Sequence, residues 1–196
     1  MVIDAGNWDA VRAWRKAERE RLVAQRLAIL AEDRQALAAR IIAGLDRAAE
    51  ADAGTVVSVY IPFRGEFDLR PWMSSLVDRG VTVALPVVAE KNKPMEFREW
   101  TPETKLERGV LGIPIPSGSR LVTPDVTIAP FLAFDREGYR LGYGGGYFDR
   151  TLASLKEAPL AIGVGLSSFQ IDTIYPQPHD IRMDRIVTEE GLLGIR

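Results

Sequence analysis

The sequence predicts an α/β fold: a mostly parallel, open, twisted sheet with helices on both faces and an N-terminal helical segment packed alongside. Three observations carry this. Residues 8–43 contain neither Gly nor Pro and repeat apolar side chains at helical spacing. Residues 55–61 and 81–88 are apolar, β-branched runs, and between them residues 68–79 read as a short helix. Strand, helix and strand with short connections form a parallel crossover unit.

The elements follow in order. Residues 8–51 read as two helices with a break near Glu32 and Asp33; Leu22, Ile29, Leu30, Leu37 and Ile41 mark the buried stripe. Residues 95–100 form a strand that Pro94 and mixed polarity assign to an edge. The stretch 105–120 holds Pro114, Pro116 and three glycines and reads as a connecting loop. Residues 125–134 form a buried strand despite Pro130, and a helix follows over 147–157. Strands over 160–166 and 185–188 complete the pattern. One domain is expected over residues 1–196, with 1–52 as the helical segment and 53–196 as the α/β core.

Composition narrows the chemistry. With no cysteine and a single histidine, His179, the chain excludes thiol catalysis, Cys-ligated metals, disulfides and a three-histidine zinc site. A net charge of −2 supplies no field for capturing nucleic acid, so any bound anion must be held by local groups. The first thirty residues carry Asp4, Asp9, Arg12, Arg15, Lys16 and Glu18 and no apolar leader. The longest uncharged run, fourteen residues over 158–171, is too short to span a bilayer. A cytoplasmic monomer is expected, with no membrane or nucleic-acid partner.

The most informative segment runs from Gly138 to Arg150. Five of the nine residues from 138 to 146 are glycine, and the segment lies between a strand and a helix. Such a loop lets a ligand approach the backbone, and the following helix presents unpaired N–H groups and the positive end of its dipole to an anion. The dinucleotide fingerprint fails because Tyr147 stands where its last glycine belongs, and the Walker pattern fails for want of Gly-Lys-Ser/Thr. Arg140 is placed to fork onto phosphate oxygens. Asp149 at the start of the helix serves either the dipole or a Mg²⁺ ion. Arg12, Arg15, Lys16 and Arg19 lie on one helical face; a solvated surface is the plain reading, and a phosphate clamp the functional one. Glu66 follows the first strand and is either a surface acid paired with Arg64 or a carboxylate facing the cleft.

The string Ala133-Phe134-Asp135, Gly138 and residues 140–150 closely resembles the signature of the 5-formyltetrahydrofolate cyclo-ligase (5,10-methenyltetrahydrofolate synthetase) family. Scattered matches extend the resemblance over nearly the whole chain: Leu85-Pro86, Met95-Glu96-Phe97, Gly112-Ile113-Pro114, and His179-Asp180 with Asp184. Two departures stand out. Phe148 replaces the second of two tyrosines usual before the aspartate, and Phe131 follows Pro130 where glycine is usual, which is expected to alter the pocket wall.

The resemblance implies conversion of 5-formyltetrahydrofolate to 5,10-methenyltetrahydrofolate, with ATP as co-substrate and Mg²⁺ as cofactor. It implies ATP contacts from Arg15, Lys16, Arg19, Arg140, Leu141, Gly142, Tyr143, Gly144, Gly145, Gly146, Tyr147 and Phe148. The basic segment is not the usual Lys-x-x-x-Arg, since Arg15 and Arg19 hold the spacing with Lys16 adjacent. Ile61, Glu66 and Tyr143 are implied at the folate, Arg140 and Tyr147 in catalysis, and Asp149 with Asp184 at the metal. His179, in a proline-rich turn, is expected to play a structural or supporting role. A folate- or nucleotide-binding relative without turnover, and a phosphotransferase acting on another small molecule, are the alternatives.

Overall fold

The computed structural model describes residues 4–110 and 112–194. Helix α1 spans Trp8–Leu27, and the side chain of Asn7 caps it by accepting the Ala10 N–H at 3.1 Å. Helix α2 spans Ala31–Ala49. The break falls at residues 28–30, slightly before the expected Glu32-Asp33. Those two acids occupy the first turn of α2, where carboxylates oppose the positive helix end. They therefore mark the start of the second helix. Arg34 closes the joint by donating to the carbonyls of Arg26 (3.1 Å) and Ile29 (2.8 Å), groups with no partner inside α1.

The remaining helices are α3 (Arg70–Asp78) and α4 (Tyr147–Ser154). The main sheet contains β1 (Val56–Ser58), β2 (Thr82–Val87), β3 (Glu96–Trp100), β6 (Val126–Pro130), β9 (Leu160–Val164), β10 (Arg185–Thr188) and β11 (Gly191–Leu193). Their order is β11-β10-β9-β6-β1-β2-β3. The five central strands are parallel, while β3 and β11 pair antiparallel at the two edges. The edge assignment of β3 holds; β11 has no counterpart in the sequence reading.

Alternation along the strands builds two cores. Val126 and Ile128 of β6, with Ile162 and Val164 of β9, join α2 and α3 on one face. Ala129, Ala161 and Ile186 point the other way and meet Leu152 of α4 and Phe134. Helices thus cover both faces, as a parallel sheet requires.

Two expectations need correction. The single strand over 125–134 divides after Pro130. There Leu132 N–H turns away to the Leu141 carbonyl at 2.8 Å, and β7 (Ala133–Phe134) forms a separate hairpin with β8 (Arg140–Leu141). The presumed loop over 105–120 contains a second hairpin, β4 (Leu106–Arg108) and β5 (Pro114–Pro116). Its prolines are tolerated because β5 pairs on one side only, so the missing N–H groups break no second ladder.

Phe131 is also placed differently from expectation. It is buried, stacks on Phe134 at 4.9 Å, and covers the glycines of β9 and its exit instead of walling the main cavity. A methyl group on Gly165 would lie 2.1 Å from Phe131 Cε2. Gly165→Ala is therefore expected to cost about 2 kcal/mol through overpacking. Urea unfolding checks this, and Phe131→Leu in the same chain should restore part of the loss. Among the described residues, no helix is long and apolar enough to cross a membrane.

Candidate active site

The carboxyl ends of β1, β2 and β6 open into a cavity of about 500 Å³. Open α/β sheets bind ligands at this end, because the loops leaving parallel strands diverge there. Tyr60, Ile61, Leu85, Pro86 and Pro130 form its floor. The glycine loop forms one wall, and the β4–β5 hairpin, through Val110, Ile113 and Ile115, forms another.

The glycine loop is shaped by backbone that other residues adopt with difficulty. Gly144 has φ +92°, and Gly146, which begins α4, has φ +61°. No side chain caps α4, so its first N–H groups face outward from the loop without an intrahelical partner. Arg19 of α1 fastens the loop, donating from Nε to the Gly142 carbonyl at 2.7 Å. Burial, reinforced by the neighbouring Arg15 cation, lowers the Arg19 pKa from its ordinary value, with Asp180 opposing. Gly142, Tyr143, Gly144, Gly145, Gly146, Tyr147, Phe148, Leu141 and Arg19 all line the cavity.

Arg140 is the most informative group in this wall. Its side chain is only 4% exposed and lies across Phe148, with the guanidinium carbon 5.2 Å from the ring centre. Phe148 thus supplies the flat support, a role that needs no hydroxyl. Arg140 Nη2 stands 3.2 Å from Asp149 Oδ1, yet neither Nε nor Nη2 makes an aligned hydrogen bond. Buried N–H donors without acceptors are costly, and an anion entering the loop would satisfy them. Asp149 Oδ1 also accepts the Ile181 N–H at 3.1 Å.

Three expected phosphate or metal residues are placed elsewhere. Arg15 is buried and fully occupied: it pairs with Asp180 at 2.6 Å and donates to the carbonyls of Ile174 (3.0 Å) and Tyr175 (2.9 Å). It fastens α1 to the 174–180 turn and does not line the cavity. Lys16 is exposed and also off the cavity wall. Asp184 precedes β10 and accepts the Ala161 N–H at 2.7 Å. Because β9 and β10 are parallel, that contact lies at the amino ends of the strands, away from the cavity mouth. The expected Asp149–Asp184 metal pair is therefore not assembled. Among the described residues, no group of three Asp, Glu or His side chains can enclose a metal ion. Asp149 alone sits beside the loop, which suits an ion that brings phosphate oxygens and water as its other ligands.

The opposite wall holds Glu66, which is buried and accepts the Phe63 N–H at 2.8 Å. Burial pushes its carboxyl up to about 7 against the opposing pull of the Arg26 cation, the Phe63 amide and the Tyr143 hydroxyl. Tyr143 Oη donates to the Phe63 carbonyl at 3.1 Å and accepts from Arg26. Burial, then the Glu66 charge, raises that phenol to about 12. Ile61 lies on the same side, so Ile61, Glu66 and Tyr143 do meet in one cavity with the loop. His179 lines the mouth edge-on to Trp8, with ring centres 5.9 Å apart.

Sequence reasoning missed Tyr60 and Arg26, and named Met95 and residues 112–114 as family matches without placing them at the site. A signal for Arg26 existed: it falls on the inward stripe of α1 with Val11 and Leu22, an unusual place for a cation. The hairpin was marked only by the Gly112-Ile113-Pro114 family match, because its prolines and glycines read as loop.

Proteins of known family share this chain's sequence and fold. Residues 11–189 match the model of the 5-formyltetrahydrofolate cyclo-ligase family. A 5-formyltetrahydrofolate cyclo-ligase of Mycolicibacterium smegmatis is 30% identical over 153 residues, covering 74% of this chain and 79% of that protein. The Escherichia coli K12 protein of the same name is 33% identical over 141 residues, covering 67% and 76%. The solved structure of Aquifex aeolicus 5,10-methenyltetrahydrofolate synthetase superimposes with a TM-score of 0.78 at 28% identity, covering 93% of each chain. With the family match running from α1 to the residue after β10 and the glycine loop inside it, the chain belongs to the 5-formyltetrahydrofolate cyclo-ligase family.

Proposed function

We propose that the protein is an ATP- and Mg²⁺-dependent ligase that converts 5-formyltetrahydrofolate to 5,10-methenyltetrahydrofolate, releasing ADP and phosphate. The observation that carries this reading is the pair of unsatisfied buried N–H donors on Arg140, set in a glycine loop that shares one cavity with buried Glu66. One wall suits phosphate; the other suits a ligand edge with adjacent N–H donors, such as a pterin ring.

The chemistry needs both. A formyl oxygen is a poor leaving group, so the γ-phosphoryl group of ATP passes to it, breaking the bond to ADP. The N10 lone pair then attacks the formyl carbon. The ring closes, N10 loses its proton, and the carbon–oxygen bond breaks to release phosphate. Such a transfer depends on positioning and charge neutralisation more than on a protein nucleophile. The loop amides, Arg140 and Arg19 orient and neutralise the phosphates, Tyr143 and Tyr147 screen the reacting groups from water, and Glu66 with Ile61 seats the folate. Mg²⁺, when bound, spreads the phosphate charge, and Asp149 is the residue of this chain that would hold it. Folate and nucleotide are the expected partners, in a protein that acts as a monomer.

Purified protein given 5-formyltetrahydrofolate, ATP and Mg²⁺ should form the methenyl product, followed by its near-ultraviolet absorption, with one ADP released per turnover. Absence of product at every Mg²⁺ concentration overturns the assignment. Asp149→Asn should raise the Mg²⁺ concentration for half-maximal rate about tenfold by removing a charged oxygen ligand. An unchanged Mg²⁺ dependence removes Asp149 from the metal site.

A further inference from the structure

Arg26 is 2% exposed and has no ion-pair partner within 4.0 Å among the described residues. It does not line the main cavity. Its donors reach three separate segments: Nε to the Arg64 carbonyl (3.1 Å), Nη1 to the Phe131 carbonyl (3.3 Å) and Nη2 to Tyr143 Oη. Its guanidinium carbon lies 5.5 Å from the Tyr143 ring centre. Burying a cation this fully without an opposite charge in contact is unfavourable. If its role were only to tie segments together, a neutral donor would serve at lower cost. Arg26 and Glu66 line the same small recess, together with Tyr60, Phe67 and Phe131, and the cation opposes the rise that burial imposes on the Glu66 carboxyl.

We propose that Arg26 is a positioning residue for the folate-side wall: it sets a buried cation in the recess it shares with Glu66 and fixes Tyr143 over the cavity, without touching substrate. This rests on the folate reading of the site. A carboxylate accepts two parallel N–H donors, whereas a protonated carboxyl offers one of its oxygens as a donor and repels one of them. Glu66 is poised near neutrality, raised by burial and lowered by Arg26, with Phe63 N–H and Tyr143 helping. The other groups facing this cluster are Tyr60, which is buried and raised by its desolvation and by Glu66, and Arg64 and Asp68 on the neighbouring loop. None replaces a cation at Arg26. Arg64 acts on Tyr143 only weakly, and Asp68 has the wrong sign.

The test uses Arg26→Met and Arg26→Lys in the full chain. The Glu66 carboxyl is followed by carbon-13 NMR across pH without substrate, with Glu66→Gln identifying the resonance. In Arg26→Met the Glu66 midpoint should rise by about one unit or more, since an opposing charge is removed at a desolvated site. In Arg26→Lys the midpoint should stay within about half a unit, because the cation remains. Turnover separates the second part. At pH 7, Arg26→Met should raise the KM for formyl-folate about tenfold, an effect that fades as pH rises, with kcat and the KM for ATP changed less than about threefold. Arg26→Lys should raise that KM about threefold at every pH, because Lys cannot fork to Tyr143 and Phe131 together. An unmoved Glu66 midpoint in Arg26→Met, or a full unit of rise in Arg26→Lys, overturns the proposal. So does a folate KM that Arg26→Lys leaves at the wild-type value. Should Arg26→Met fail to fold, the Arg26→Lys pair of readouts decides alone. A wild-type protein without formyl-folate turnover would refute the functional reading, while the NMR titration still judges the Arg26–Glu66 coupling.

Discussion

Arg140→Met lowers kcat/KM for the formyl-folate reaction about a thousandfold. Methionine keeps the length and apolar contact over Phe148 but removes a buried guanidinium beside the glycine loop whose Nε and Nη2 donors lack acceptors. Preorganised donors aimed at developing charge are worth about two to three powers of ten in rate per group. Arg140→Lys keeps the charge but not the planar fork, so a recovery of about tenfold over methionine is expected. Initial rates at saturating Mg²⁺ check both. Because Arg140 stands 3.2 Å from the largely buried Asp149 carboxylate, the thermal midpoint of Arg140→Met should fall by several degrees while the protein stays folded at assay temperature. A rate within tenfold of wild type in folded Arg140→Met would remove Arg140 from the transfer step.

The second large effect falls on the opposite wall. Glu66→Gln should raise the KM for formyl-folate about a hundredfold, since a buried charged acceptor is exchanged for an amide with one acceptor and one donor end. The same substitution changes how stability depends on pH. The Glu66 pKa rises from the ordinary 4.5 to about 7 in the folded protein, chiefly by burial. Between those values the native state holds more protons than the unfolded state, so stability falls as pH rises through the window. The contribution is fully present below about 4.5 and gone above about 7. Removing the titrating group flattens this, and relative to wild type the variant should gain on the order of 3 kcal/mol between pH 4.5 and pH 8. Urea unfolding at the two pH values measures it. Equal pH slopes in both proteins would show that Glu66 titrates normally.

Both predictions combine features that differ in how readable they were. Arg140 belongs to a contiguous string whose glycines, strand and helix follow one another in sequence, so its setting could be inferred locally. Glu66 could be named, but not its buried state or the recess it shares with Arg26, which comes from another part of the chain. The basic stripe of α1 shows the limit most clearly. Arg12, Arg15, Lys16 and Arg19 share a face by spacing, yet docking turns Arg15 inward to Asp180, leaves Arg12 and Lys16 in solvent and sends only Arg19 to the loop. Helical periodicity defines which residues are neighbours on a cylinder; it does not say how that cylinder is rotated against its partner.

The same division runs through the fold. Local sequence patterns by themselves determined the parallel α/β core, the edge position of β3 and the glycine loop between a strand and a helix, because these depend on local backbone preference and on which residues avoid water. The tertiary structure alone decided that Asp184 lies at the amino end of its strand, that prolines of the 105–120 stretch build a hairpin over the cavity, and that Arg26 and Glu66 share one recess. Each of those outcomes depends on packing between distant segments, where the charge and position of a group are set by neighbours the local sequence does not contain.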